Sequence, residues 1–156
     1  RRRIEVGVRC VEVTLDGWDS HVNNHEVHRR LVGVLDPAFS ALLRDLRRRD
    51  LLGRTVVLCC GEFGRTPRIN PFGGRDHWPT GFSLAMAGGG IRGGFALGET
   101  DPEGLKAPAR PPPVEDVHAT IFTALGLNPA KENVDPLTTR PLKLSDGKAI
   151  RDLIEI

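Results

Sequence analysis

Apolar and polar positions alternate at the start of the chain. Ile4, Val6, Val8 and Cys10 fall in one phase, and Val11, Val13 and Leu15 fall in the other. Such a phase break predicts a bulged strand, or a strand buried on both faces as in a parallel sheet. From about Glu26 to Asp50 the spacing changes to three and four, with Leu31, Leu35, Phe39, Leu42, Leu43 and Leu46 on one stripe. That period predicts an amphipathic helix. Asp36-Pro37 reads as a cap and first turn, which leaves two helices or one kinked helix open. Gly53 is placed to stop the helix, and Arg54 to Cys60 follows as a short buried strand. Strand, long helix, strand is the crossover that parallel strands require. The expectation is a βαβ unit.

Residues 61–81 carry Gly, Pro, Asn and Asp without apolar periodicity and predict a long loop, a length that usually has a functional reason. Phe82 to Ala87 should re-enter the sheet. Ala87 to Gly94 reads as a tight turn or hairpin into Phe95–Gly98. Residues 99–113, polar and then proline-rich, resemble a linker. Val114 to Leu125 is predicted helical, with Val117, Ile121, Phe122 and Leu125 on one face and Gly126 and Pro129 ending it. The tail from Ala130 is irregular, with a short amphipathic helix near Lys148 to Ile154.

Composition narrows the class. At 156 residues the chain is most simply one domain. A net charge of +2, with basic runs only at Arg1–Arg3 and Arg47–Arg49 and no interleaved aromatics, argues against a nucleic-acid partner. Three cysteines cannot form a disulfide framework, and Cys59 and Cys60, adjacent on a strand, point to opposite faces. Buried reduced thiols are expected. No window reaches a transmembrane length and no signal peptide is visible. The chain starts at arginine, almost inside a strand, so it reads as the carboxy-terminal portion of something longer.

The candidate chemistry lies where strands should end. Asp19 and His21 follow the first apolar stretch, Glu62 follows the second, and Asp76 and His77 lie in the long loop. The carboxyl ends of strands line the ligand crevice of open α/β sheets. Carboxylate and imidazole together point to a divalent metal: zinc, manganese or iron by ligand type, with calcium and magnesium also open. Asp19 and His21, two apart, can reach one ion from the same side of an extended segment. His25 is an alternative ligand. Asp76 can orient a ligating imidazole. Asp16 is a further nearby carboxylate, although Asp16-Gly17 also makes a turn. Arg65 either pairs with Glu62 or offers a planar donor to an oxyanion. Trp18 and Trp78 either wall the pocket or pack under loops. No nucleophile elbow or Walker loop is present.

The segments GWDSH, GEFGRTPRIN, GRDHWP, AGGGIRGG and PVEDVHATIFTALGLNP, in this order, resemble the carboxy-terminal part of a bacterial family catalogued as a domain of unknown function within the alkaline phosphatase and sulfatase superfamily. The resemblance runs from about Val8 to Pro141. It implies a partial alkaline-phosphatase-like α/β fold: a mostly parallel sheet flanked by helices, here a βαβ core plus hairpin and C-terminal helix. It also implies a metal-dependent hydrolase of phosphate or sulfate esters, acting on a small anionic ester or a sulfated or phosphorylated polymer. The alternative is a non-catalytic relative with a binding or structural role at the cell surface. By resemblance Asp19, His21 and His77 match one metal site and Glu62 the other, while Phe63 occupies the place of that second site's histidine. The family's twin-arginine signals imply export to the periplasm.

Overall fold

The computed structural model describes residues 1–109 and 111–155; Arg110, inside the expected linker, and Ile156 lie outside them. The chain is a mixture of helix and strand. It opens with one helical turn, α1 (Arg2–Glu5), where alternation predicted a strand. Ion pairs hold this turn: Arg1 Nε lies 3.0 Å from Asp45, and Glu5 accepts Arg49 at 3.2 Å. Residues 8–19 have no regular secondary structure. Among the described residues, no backbone amide from Arg9 to Asp19 donates to another backbone group. A strand needs a neighbour to close its ladder. None of the described strands lies beside Val8–Leu15, and Val13 stays 87% exposed.

The leucine stripe forms one unbroken helix, α2 (Asn24–Arg48), with Pro37 inside it. Leu31 and Leu46 are buried, and Leu35, Phe39, Leu42 and Leu43 are half-buried, so the predicted face is the one that packs. The stop differs from expectation. Asp50, at φ 54°, takes the left-handed conformation that ends the helix, and Gly53 sits inside the following 3-10 turn Leu52–Arg54. Aspartate is among the few non-glycine residues that tolerate this region.

Among the described residues three two-stranded sheets follow, and every strand pair in them is antiparallel. β1 (Val57–Cys59) pairs with β4 (Ala85–Ala87), so only the end of the expected Phe82–Ala87 stretch re-enters a sheet, and it does so antiparallel. β2 (Gly64–Arg65) and β3 (His77–Trp78) turn the expected long loop into a hairpin. The glycine segment after β4 does not make a hairpin into Phe95–Gly98. Gly90 and Arg92 instead bond to Glu155 and Leu153, and Ile91 bridges Ile154. Gly88 and Gly89 both have positive φ, and a Cβ on either would overlap the backbone of Leu52, Thr55 or Val56. Close backbone packing therefore accounts for these two glycines.

α3 (Val114–Ala124) matches the predicted helix, but its most buried residues are Ala119 and Thr120, and Leu125 is half-exposed. Thr120 Oγ1 donates to Asp116 O and accepts the amide of Ile150, tying the tail to α3. β5 (Glu132–Val134) and β6 (Pro141–Lys143) form a hairpin in the tail expected to be irregular, and the expected terminal helix is a 3-10 turn at Arg151–Leu153. The cysteines are unpaired, as expected, yet Cys10 and Cys60 are exposed and Cys59 only half-buried. The buried apolar set is short: Leu31, Leu46, Leu51, Ile91 and Ala119. The accessible surface of 11725 Å² exceeds the roughly 7,800 Å² expected of a compact monomer of 17.1 kDa. Among the described residues no helix is long and apolar enough to cross a membrane.

Candidate functional site

The hairpin β2–β3 and the chain before α2 are stitched together through backbone groups. Asn23 and Asn24 donate to the carbonyls of Phe72 and Gly73, and Arg75 donates to Ser20 O at 3.0 Å. Val22 bridges Gly73. A Cβ on Gly74 would stand 1.9 Å from the carbonyl carbon and oxygen of His21, so only glycine permits this approach. The register of β2 against β3 sets Arg65 opposite His77. Local pairing thus brings side chains from the two segments to one place.

Asp19, His21 and His77 meet there. Asp19 Oδ1 lies 3.0 Å from His21 Nε2 and 2.9 Å from His77 Nε2, and the two imidazole nitrogens are 3.3 Å apart. His21 donates from Nδ1 to Asp76 Oδ1 at 2.8 Å. With that proton on Nδ1, the Nε2 lone pair of a neutral His21 faces the Asp19 carboxylate. Two facing acceptors 3.0 Å apart are an arrangement that a divalent cation can satisfy.

The donor set fits a cation. Zinc bonds of about 2.0–2.1 Å at tetrahedral angles place ligand atoms about 3.3 Å apart. The observed edges of 2.9–3.3 Å describe one face of such a polyhedron. These three groups form the metal-capable set among the described residues, and all three are exposed.

Arg65 complicates the charge balance. Its Nη2 donates to Asp19 Oδ1 at 2.6 Å, and its Nη1 approaches Arg75 O at 3.4 Å. The hydrogen bond to His77, followed by that to Arg65, holds the Asp19 carboxyl down at about 2. Asp76 is also held below the ordinary carboxylate range, first by His21 and then by Asn70. The Phe63 ring packs at 4.5 Å from that of His77 and lies under the Arg65 guanidinium at 5.9 Å, so Phe63 walls the group.

Other residues singled out in the sequence lie apart. Glu62 is exposed, makes no ion pair with Arg65 and does not belong to the converging group. His25 is exposed on α2, and Asp16 is exposed in the irregular segment before Gly17, whose φ is 96°. Neither joins the group. Asp76 orients His21 rather than the adjacent His77. Trp18 packs against His28 at 5.2 Å, while a Cβ on Gly81 would touch the Trp78 ring. Both tryptophans therefore pack under local structure. Ser20 is buried, donates to Asn24 Oδ1 at 2.9 Å and lies 2.9 Å from His28 Nε2, which also reaches Trp18 O. With the Ser20 proton on Asn24, His28 donates to Ser20, so this pair is a structural network and not an activated nucleophile.

Asn70 escaped the sequence reading. Its Nδ2 donates to His21 O at 3.0 Å and to Asp76 Oδ1 at 3.2 Å, and its Oδ1 accepts the amides of Phe72 and Gly74. The signal available was Asn70-Pro71 before Gly73-Gly74, a composition that favours an asparagine-built turn.

A family model described as "Protein of unknown function (DUF1501)" matches residues 1–154. Over 48 residues the chain is 44% identical to the Holliday junction resolvase YEN1 of Saccharomyces cerevisiae (strain ATCC 204508 / S288c), a stretch covering 29% of this chain and 6% of that protein. The chain thus spans about 6% of the length of this relative. No solved structure matches it.

Proposed function

The chain belongs to the DUF1501 family, and for this member we propose a divalent-metal site on Asp19, His21 and His77 that serves hydrolysis of phosphate or sulfate esters. One observation carries the reading: two imidazole Nε2 atoms and a carboxylate oxygen form a triangle with 2.9–3.3 Å edges, and a second carboxylate holds the far side of one imidazole. Imidazole and carboxylate together favour zinc, manganese or iron, with magnesium and calcium the weaker fits. When bound, such an ion polarises an ester oxygen and lowers the pKa of a bound water to about 7.

The chain's own residues would do the rest. Asp76 keeps the His21 Nδ1 proton in place and so keeps Nε2 aimed at the site. Phe63 limits the motion of His77 and excludes water from one side of its ring. Arg65, whose side chain is 17% exposed, stands on Asp19 within reach of an anion at the site and can stabilise negative charge there. The motifs carry the likeness to the alkaline phosphatase and sulfatase superfamily, and with it a bacterial origin and export to the periplasm. The 48-residue likeness to the yeast resolvase is too short to bring nucleic acid into this reading, and a net charge of +2 gives it no support.

A second reading has its own observation. Glu62 stands apart from the group, and a phenylalanine, not a ligand, touches His77. A non-catalytic relative that keeps one ion for binding or structural work fits this equally well. Zinc titration of the purified protein separates the outcomes. One zinc per chain in the wild type, lost in Asp19→Ala and His77→Ala, supports the site, and a wild type that takes up no metal rejects it. Hydrolysis of p-nitrophenyl phosphate or sulfate by the natural protein decides for the enzyme, and zinc uptake without turnover decides for the binding relative.

A further inference from the structure

Nothing in the ligand triangle explains why His21 points into it. Its ring is about half-exposed, and a half-exposed imidazole is free to rotate unless something outside the triangle holds it. Two contacts do so. Asp76 Oδ1 accepts the Nδ1 proton, and Asn70 Nδ2 donates both to that same Asp76 oxygen and to the carbonyl of His21 itself. The amide is in turn locked from its other end, because Asn70 Oδ1 accepts the amides of Phe72 and Gly74 within the turn. One side chain therefore ties the backbone of His21, the carboxylate behind its ring and the turn that carries that carboxylate.

We propose that Asn70 is a positioning residue: through Asp76 it fixes the ring orientation and the Nδ1-protonated tautomer of His21, and so presets the Asp19–His21–His77 triangle for a cation. The cation part rests on the metal reading above; the tautomer part stands without it. The two halves of the Asn70 amide separate the roles. Oδ1 builds the turn, and Nδ2 does the positioning. Asn70→Asp retains an acceptor for Phe72 and Gly74, loses both donors and places a second carboxylate beside Asp76. Asp76→Ala leaves the turn acceptors untouched and removes the link to the ring. Partners that orient a ligating histidine typically matter by about 10–100-fold in metal affinity.

The test uses residues 1–156 with two readouts. The tautomer of His21 is read from its ring nitrogen and proton shifts by NMR in metal-free protein, and zinc affinity is read by competition with a chromophoric chelator. We expect the wild type to carry the Nδ1 proton and to bind zinc. Asn70→Asp and Asp76→Ala should lose the single tautomer and bind zinc about 10–100-fold more weakly. Unchanged backbone shifts at Phe72 and Gly74 in Asn70→Asp establish that the turn persists. If the wild type binds zinc and both variants bind it equally well with the tautomer intact, the positioning role is overturned while the metal reading stands. If the wild type binds no zinc, the metal reading falls, and the tautomer decides the positioning role alone: lost in both variants supports it, retained overturns it. If Asn70→Asp misfolds, Asp76→Ala decides the matter by the same two measurements.

Discussion

Arg65 Nη2 and Asp19 Oδ1 lie 2.6 Å apart, and the same oxygen faces both imidazoles of the group. One carboxylate oxygen thus balances a guanidinium and two rings. The pairing arises because β2 and β3 set Arg65 across from His77 while Ser20 O accepts the Arg75 amide. Backbone pairing brings the guanidinium, the carboxylate and the imidazole to one place.

This arrangement has a measurable pH signature. Asp19 ionises at about 2, below its ordinary 3.8, so its contribution to stability is fully present above 3.8 and is lost as pH falls through about 2. Carboxyl carbon NMR should show that midpoint. In Arg65→Ala it should move upward, leaving the remaining depression to His77. A midpoint unchanged by this substitution would show that the guanidinium does not act on Asp19 in solution.

Gly74→Ala should be the most damaging small substitution near the site. The added methyl meets main-chain atoms of His21 that no rotamer change can clear. We expect a loss of at least about 2 kcal/mol in urea unfolding, the scale of overpacking against rigid surroundings. Gly53→Ala, with nothing within 4 Å of its added carbon, is the control and should lose no more than about 0.5 kcal/mol.

Pro37 sits inside α2 and cannot donate to the carbonyl of Gly33 four residues before it. Interior proline costs a helix about 3 kcal/mol. Pro37→Ala should therefore raise the unfolding free energy by about 1–3 kcal/mol, measured by denaturant titration. No gain would mean that neighbouring packing already compensates for the missing bond.

Hydrogen exchange should divide the chain sharply. Amides from Arg9 to Asp19 donate to no backbone carbonyl among the described residues and should exchange within seconds. Those around Leu31 and Leu46 in α2 should be the slowest. Protection across Val8–Leu15 would mean that this segment does find a ladder partner in solution.

Much of this protein follows from its local pattern. The stripe from Leu31 to Leu46 and the apolar face around Val117 and Ile121 each match one period, and the corresponding helices form where that period runs. Asp19, His21 and His77 do come together, but not at strand ends: residues 8–19 form no strand and His77 lies within β3. What alternation could not supply was a neighbour. Val8–Leu15 has the side chains of a strand but no partner edge among the described residues, and β1 finds β4 antiparallel. Strand pairing is a property of two segments, and neither carries the other's position. The same holds at the site. Whether Asp76 served His77 or His21, whether Glu62 joined, and what Asn70 did were settled by the turn at Gly73–Gly74 and its backbone bonds to residues 20–24. Periodicity sets which face of an element is apolar; long-range backbone contacts choose which side chains meet.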